Sequence, residues 1–171
     1  MVQLGFMATV AAGLQSGSIE GAVVSPPTQF AIDKAGFKEL ISITDMNLAF
    51  PNPALVAVGS IIRSKLDTIN RFMRAYTRGI HRALNDREFT YKATAKYTKI
   101  QDMSVLERAY DFYMTKVLER APYVNMAGVQ NVLDDLAKTV PAAKKAKPEQ
   151  FVDLRFLENL EKSGLIKELY P

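Results

Sequence analysis

Gly-Ser-Ile-Glu-Gly-Ala-Val-Val-Ser-Pro-Pro, residues 17–27, is the stretch on which the predicted fold class depends. Apolar residues recur at helical spacing over residues 7–14, so a first helix is expected to end at Gly17. The short apolar run over residues 19–24 then predicts a strand buried on both faces, which the two prolines end. Ser25 is the expected N-cap of a second helix, because proline is tolerated in the first turn of a helix.

Two further apolar runs, at residues 40–43 and 55–58, predict a second and a third strand. Between them, residues 44–53 are rich in residue types that favour turns. A strand, a helix and a strand in this order indicate a parallel pair joined by a right-handed crossover.

The rest of the chain is predicted to be mainly helical. An apolar stripe over residues 69–84 follows a candidate cap at Asp67, and Ser104 opens a capping-box pattern. Helical spacing recurs over residues 129–136 and 154–160. Three strands offer too little sheet to cover so many amphipathic helices, so a partner or a missing half is expected to complete the core.

Composition narrows the classes of function. The chain has 171 residues, of which 48% are apolar, and it contains no cysteine, which excludes disulfides and thiolate metal sites. Its 22 basic and 18 acidic residues are interspersed, so the net charge of +4 does not call for a nucleic-acid partner. The first basic residue is Lys34, and the apolar N-terminal segment therefore lacks the positive start of an export signal.

Residues 17–27 resemble a segment of the solute-binding proteins that serve ABC importers of the nitrate, sulfonate and taurine type. Three further stretches follow in the order that this family shows them: Pro-Ala-Leu-Val-Ala-Val-Gly-Ser at 53–60, the pattern around Arg-Phe-Met-Arg-Ala-Tyr-Thr within 68–83, and 151–166. Each stretch is weak by itself, and their common order carries the resemblance over most of the chain. Glu20 and Gly21 depart from the Asp-Ala that the family usually has.

The resemblance implies a partial α/β fold of the type II periplasmic-binding-protein kind, with a few-stranded, mainly parallel sheet followed by C-terminal helices. Residues 1–53 would end one lobe, and residues 54–171 would supply a crossing strand and the helical return to a second lobe. The chain would then be the C-terminal half of a non-catalytic protein that needs no cofactor or metal. It would capture a small polar or anionic solute in the periplasm, or elsewhere outside the cytoplasm, and deliver it to an ABC permease.

Candidate ligand-binding residues lie where the first predicted strand ends and the next helix begins, since ligands of open α/β sheets bind at such points. They are Ser25, Pro26, Thr28 and Gln29, of which Thr28 and Gln29 keep their backbone N–H groups. A plain capping role for Ser25 stays open beside the ligand-binding role. Asn52 is a further candidate, although Asn and Pro also favour turns without any ligand.

Other conspicuous side chains are interpreted as solvated surface. His81, the only histidine, is expected at the surface or half-buried on a helix, because no second histidine can complete a metal pair or a relay. The arginine stripe and the lysine run are likewise expected to face water. These basic residues are Arg71, Arg74, Arg78, Arg82, Lys144, Lys145 and Lys147.

Two alternative functions remain open. The resembled family includes thiamine-pyrimidine synthases that use pyridoxal phosphate, which would make the chain part of an enzyme. The chain is alternatively an interaction module whose unburied faces pair with a second copy or with a complementary N-terminal half. In the importer interpretation, polar groups come from two lobes, so the isolated chain should bind its solute poorly.

Overall fold

The computed structural model describes residues 5–51 and 54–171. Within those residues the regular structure is helical, and none of them lies in a strand. The helices are α1 (Met7–Gln15), α2 (Thr28–Lys34), α3 (Gly59–Ser64), α4 (Leu66–Asn85), α5 (Arg87–Thr98), α6 (Met103–Phe112), α7 (Met126–Leu136), α8 (Arg155–Lys162) and α9 (Leu165–Leu169).

The helices are joined by loops and short helical turns. A π-helical turn, Tyr113–Val117, continues directly from α6. Turns of 3-10 helix occupy Thr44–Met46, Pro141–Lys145 and Pro148–Gln150.

The prediction of an α/β fold with a partial parallel sheet is wrong. Residues 19–24, 40–43 and 55–58, the three predicted strands, are irregular and unpaired in the described part of the chain. The runs at residues 40–43 and 55–58 are each four residues long. The run at residues 19–24 is interrupted by Glu20 and Gly21. A strand is stable only beside a neighbour that satisfies its backbone N–H and C=O groups, and the described residues provide no strand beside these runs.

The chain divides into two compact units. The first comprises the described residues of Met1–Ser42 together with Asp86–Lys116, and therefore contains α1, α2, α5 and α6. The second comprises the described residues of Ile43–Asn85 together with Val117–Pro171, and contains α3, α4, α7, α8 and α9.

The core of the first unit lies where α2 packs on α6. Phe30 of α2 is buried against Val105 and Ala109, which lie four residues apart on one face of α6. Phe112, one turn further along, meets the Phe30 ring edge-on with 6.1 Å between ring centroids. Burying a phenylalanine side chain stabilises a fold by roughly 1.5–3 kcal/mol, so Phe30 contributes substantially to the packing of α2 on α6.

The second unit is organised around α4, against which α8 and α9 pack. Ile80 of α4, Phe156 and Leu160 of α8, and Leu165 of α9 are buried. Thr77 is also fully buried on α4, and its hydroxyl donates to the carbonyl of Met73 at 2.9 Å, which satisfies that polar group.

The segment before α3 is fastened to α7 by a close backbone contact. Asn131 of α7 donates from Nδ2 to the carbonyl of Ala49 at 2.9 Å. A Cβ atom built on Gly128 of α7 would lie 2.6 Å from the carbonyl carbon of Phe50 and 2.8 Å from its Cα. Only glycine at position 128 permits this approach.

Gly128→Ala is therefore expected to destabilise the second unit by about 1–3 kcal/mol, because the backbone of residues 50–51 must move. Gly79→Ala is the matched control in the same unit, since a Cβ atom at this position of α4 would have no neighbour within 4 Å apart from adjacent residues and the backbone of its own helix. That control should stabilise the unit by about 0.5–1 kcal/mol. Urea unfolding measures both changes, and an equal effect of the two substitutions would contradict the contact.

Candidate functional site

The candidate site is the turn at residues 25–29, which holds four of the five predicted ligand-binding residues. Ser25 is exposed, Pro26 is buried, and Thr28 and Gln29 are half-buried at the start of α2. Asn52, the fifth candidate, lies outside the described residues.

Ser25 does not cap α2, so the capping prediction is wrong. The N-cap residue is Pro27, and no side chain makes a capping hydrogen bond there. The Ser25 carbonyl accepts instead from the N–H of Gln29 at 3.1 Å, which leaves the Ser25 hydroxyl outside the helix hydrogen bonds. The backbone N–H of Gln29 is therefore occupied, whereas the backbone N–H of Thr28 makes no hydrogen bond within the described residues. A ligand at this turn would meet that N–H group and the side chains.

Tyr113 fixes the turn to the end of α6. Its hydroxyl donates to the carbonyl of Pro26 at 2.9 Å, and its ring packs edge-on against Phe112. Burial raises the pKa of the Tyr113 phenol, so the hydroxyl stays a hydrogen-bond donor well above neutral pH. The turn is thus held by both the buried Phe30 side chain and this hydrogen bond.

Charged side chains join α2 to α6 beside the turn. Arg108 of α6 donates to the Asp33 carboxylate at 2.7 Å, and its guanidinium lies over the Phe30 ring at 4.5 Å. At the far end of α2, Lys34 donates to the Asp102 carboxylate, and Ser104 Oγ donates to the same carboxylate at 2.7 Å. These contacts hold the register of α2 along α6.

The pKa of Asp102 is strongly shifted. The hydrogen bond from Lys34 is the main cause, with a further one from Ser104, and together they lower the pKa of Asp102 to about 2. Asp102 is also the N-cap of α6, where its Oδ1 accepts from the Ser104 N–H at 3.0 Å. The capping-box pattern predicted Ser104 as the N-cap of α6. That prediction is wrong, because the N-cap is Asp102, two residues earlier.

The chemistry that the turn offers is neutral hydrogen bonding. No hydrogen bond within the described residues engages the side chains of Ser25, Thr28 or Gln29, so two hydroxyls and one carboxamide are free to bind. Such groups both donate and accept, and they suit a small polar solute. Ser25, Thr28 and Gln29 could be predicted from the sequence as neighbours in one turn. The contact of Tyr113 could not, because Tyr113 lies 87 residues after its partner Pro26.

The residues interpreted as solvated surface behave largely as predicted. His81 is half-buried on α4, with its ring edge-on to Tyr170 at 5.2 Å. The arginine stripe and the lysine run are exposed. No group of three or more acidic or histidine side chains in residues 5–51 and 54–171 is arranged to hold a metal ion. Across the same residues, every helix is too short or too polar to cross a membrane.

The chain matches no protein-family model, no curated protein and no solved structure. The resemblance to solute-binding proteins therefore stays a prediction that rests on the four ordered stretches of sequence.

Asp102→Asn is expected to flatten the acid dependence of stability. Because the pKa of Asp102 is lowered in the folded protein, its ionised form contributes stability above about pH 4, and this contribution is lost as the pH falls towards 2. Asparagine caps a helix as well as aspartate does, so the substitution removes the charge and keeps the cap.

Circular dichroism should show that the thermal midpoint of the unsubstituted protein falls more steeply between pH 4 and pH 2 than that of the Asp102→Asn variant. Asp67→Asn, which removes an exposed carboxylate 3.8 Å from Arg71, is the control and should keep the original slope. Identical slopes in all three proteins would show that the Lys34–Asp102 contact does not hold α2.

Proposed function

We propose that this chain is part of the solute-binding component of an ABC importer, and that the turn at residues 25–29 contributes contacts to a small polar or anionic solute. The four ordered stretches of sequence support the importer class. The observation that carries the proposal is the set of unpaired polar side chains, Ser25, Thr28 and Gln29, on a turn that Tyr113 and Phe30 hold in place. In this proposal, the binding component delivers its solute to a membrane permease from the side that faces away from the cytoplasm.

The turn supplies only one side of a binding site. Hydrogen bonds from three neutral side chains contribute about 0.5–1.5 kcal/mol each, which corresponds at best to about millimolar affinity. Micromolar capture needs contacts from a second polypeptide that covers the solute. The proposal therefore predicts weak binding by this chain alone.

NMR titration of the isotope-labelled chain tests this proposal. Nitrate, taurine, an alkylsulfonate and an aminopyrimidine are added separately at constant ionic strength. One of them should shift the amide signals of Thr28 and Gln29 with about millimolar affinity. A combined Ser25→Ala, Thr28→Val and Gln29→Ala variant should lose the response, and Thr9→Val on α1 should keep it.

Two outcomes would contradict the proposal. If none of the four solutes shifts the signals of residues 25–29, the turn is not the solute contact. If calorimetry gives micromolar affinity, the site is complete within this chain, and the need for a second polypeptide is wrong.

Self-association is a second candidate function, favoured by the exposed apolar side chains of the second unit. Val56 is 92% exposed and Val58 is 69% exposed, just before α3, and Leu48 and Phe50 are exposed upstream. A second surface that covered these apolar side chains would remove them from water at a gain in free energy.

A second copy of this chain is the proposed occupant of that apolar segment. Sedimentation velocity should show concentration-dependent association, and a combined Val56→Asp and Val58→Asp variant should be a monomer. Phe151→Asp is the control, because Phe151 is similarly exposed elsewhere in the same unit, and its substitution should leave association unchanged. A monomer at all concentrations would overturn this second candidate without touching the solute proposal.

A further inference from the structure

A polar depression lies between α4 and α8 in the second unit. Its volume is about 300 Å³, and Asn70, Arg74, Asn159 and Leu160 line it. Asn70 and Arg74 are one helical turn apart, so both side chains reach the same side of α4. Leu160 is buried and closes the depression on the α8 side.

Arg74 differs from its neighbours in the arginine stripe by having no acidic partner in the described residues. Arg71 lies 3.8 Å from Asp67, and Arg78 lies 3.3 Å from Glu168, so carboxylates offset both charges. No ion pair reaches Arg74, and its guanidinium faces the depression with its charge uncompensated.

The two asparagines add oriented donors beside this charge. Asn159 donates from Nδ2 to Oδ1 of Asn70 at 3.2 Å, which links the carboxamides across the two helices. This bond occupies the acceptor of Asn70 and leaves the Asn70 amino group free to donate. A guanidinium binds oxyanions through parallel N–H donors, and a neighbouring carboxamide amino group can hydrogen-bond a further oxygen of the same anion.

We infer that this depression is a binding site for a small oxyanion, presented as a carboxylate, sulfonate or phosphate group. The inference does not depend on the importer proposal, because it rests on other residues in the other unit. The guanidinium is exposed to solvent, so salt screens the attraction and the affinity is about millimolar. The alternative is an ordinary solvated arginine, which would bind all anions alike and without saturation.

NMR titration with sodium methanesulfonate, phosphate and acetate, each at an ionic strength held constant with chloride, tests the inference. At least one of these anions should produce saturable shifts of the side-chain amide signals of Asn70 and Asn159 and of the Arg74 Nε–H signal. Arg74→Ala should weaken that binding about tenfold or more, because a charged hydrogen-bond partner is lost.

Arg71→Ala is the matched control, since it removes one positive charge from the same helix outside the depression. It should keep the saturable response. Asn70→Ala retains Arg74 and removes the free amino group, and it should weaken binding less than Arg74→Ala does. Shifts that do not saturate, or equal weakening by Arg71→Ala and Arg74→Ala, would overturn the site and leave only general attraction to a basic helix.

Discussion

Backbone hydrogen bonding is the constraint on which the architecture depends. A helix satisfies its own N–H and C=O groups, whereas an extended segment needs a neighbouring strand or water. The described residues contain no strand neighbour for the apolar segments around residues 20, 40 and 56, so those segments stay irregular. All of the regular structure in the described chain consequently comes from helices, and most of the buried apolar side chains lie on them.

Each unit contains a helix that packs against at least two others. In the first unit α2 packs on α6 through Phe30, and the polar contacts of Lys34 and Asp33 fix the position of α2 along α6. In the second unit α8 and α9 pack on α4, and Leu160 of α8 and Leu165 of α9 are buried. Because the polar contacts flank apolar ones, their main effect is to determine orientation, while burial supplies most of the stabilisation.

Much of the helical structure could be predicted from the sequence, and the reasons for the failures are physical. The regular apolar spacing over 7–14 and 129–136 correctly predicted α1 and α7. In contrast, α5 was missed because its apolar residues follow no steady period, although Asp86 caps it by accepting from the Phe89 N–H. The strand predictions failed because an apolar run of four to six residues has no periodicity that separates a strand from a loop. At the turn, Ser25 and Gln29 are neighbours in sequence, but the hydrogen bond from Tyr113 depends on how α2 packs on α6.

The exposed apolar segments and the polar side chain of Ser25 are both in contact with water. Leu40 in the first unit and Val56 in the second are each more than 90% exposed, and such apolar side chains gain free energy when another surface covers them. Free hydroxyls at residues 25 and 28 hydrogen-bond a solute strongly only when water is excluded, since water otherwise competes for the same groups. A polypeptide that covered the apolar segments would remove water from them at a gain in free energy. A polypeptide that closed over the turn would strengthen the contacts of Ser25 and Thr28 without adding any new residue to them. In the proposed importer component, cover by a second polypeptide would therefore strengthen the weak polar contacts that this turn makes with a solute.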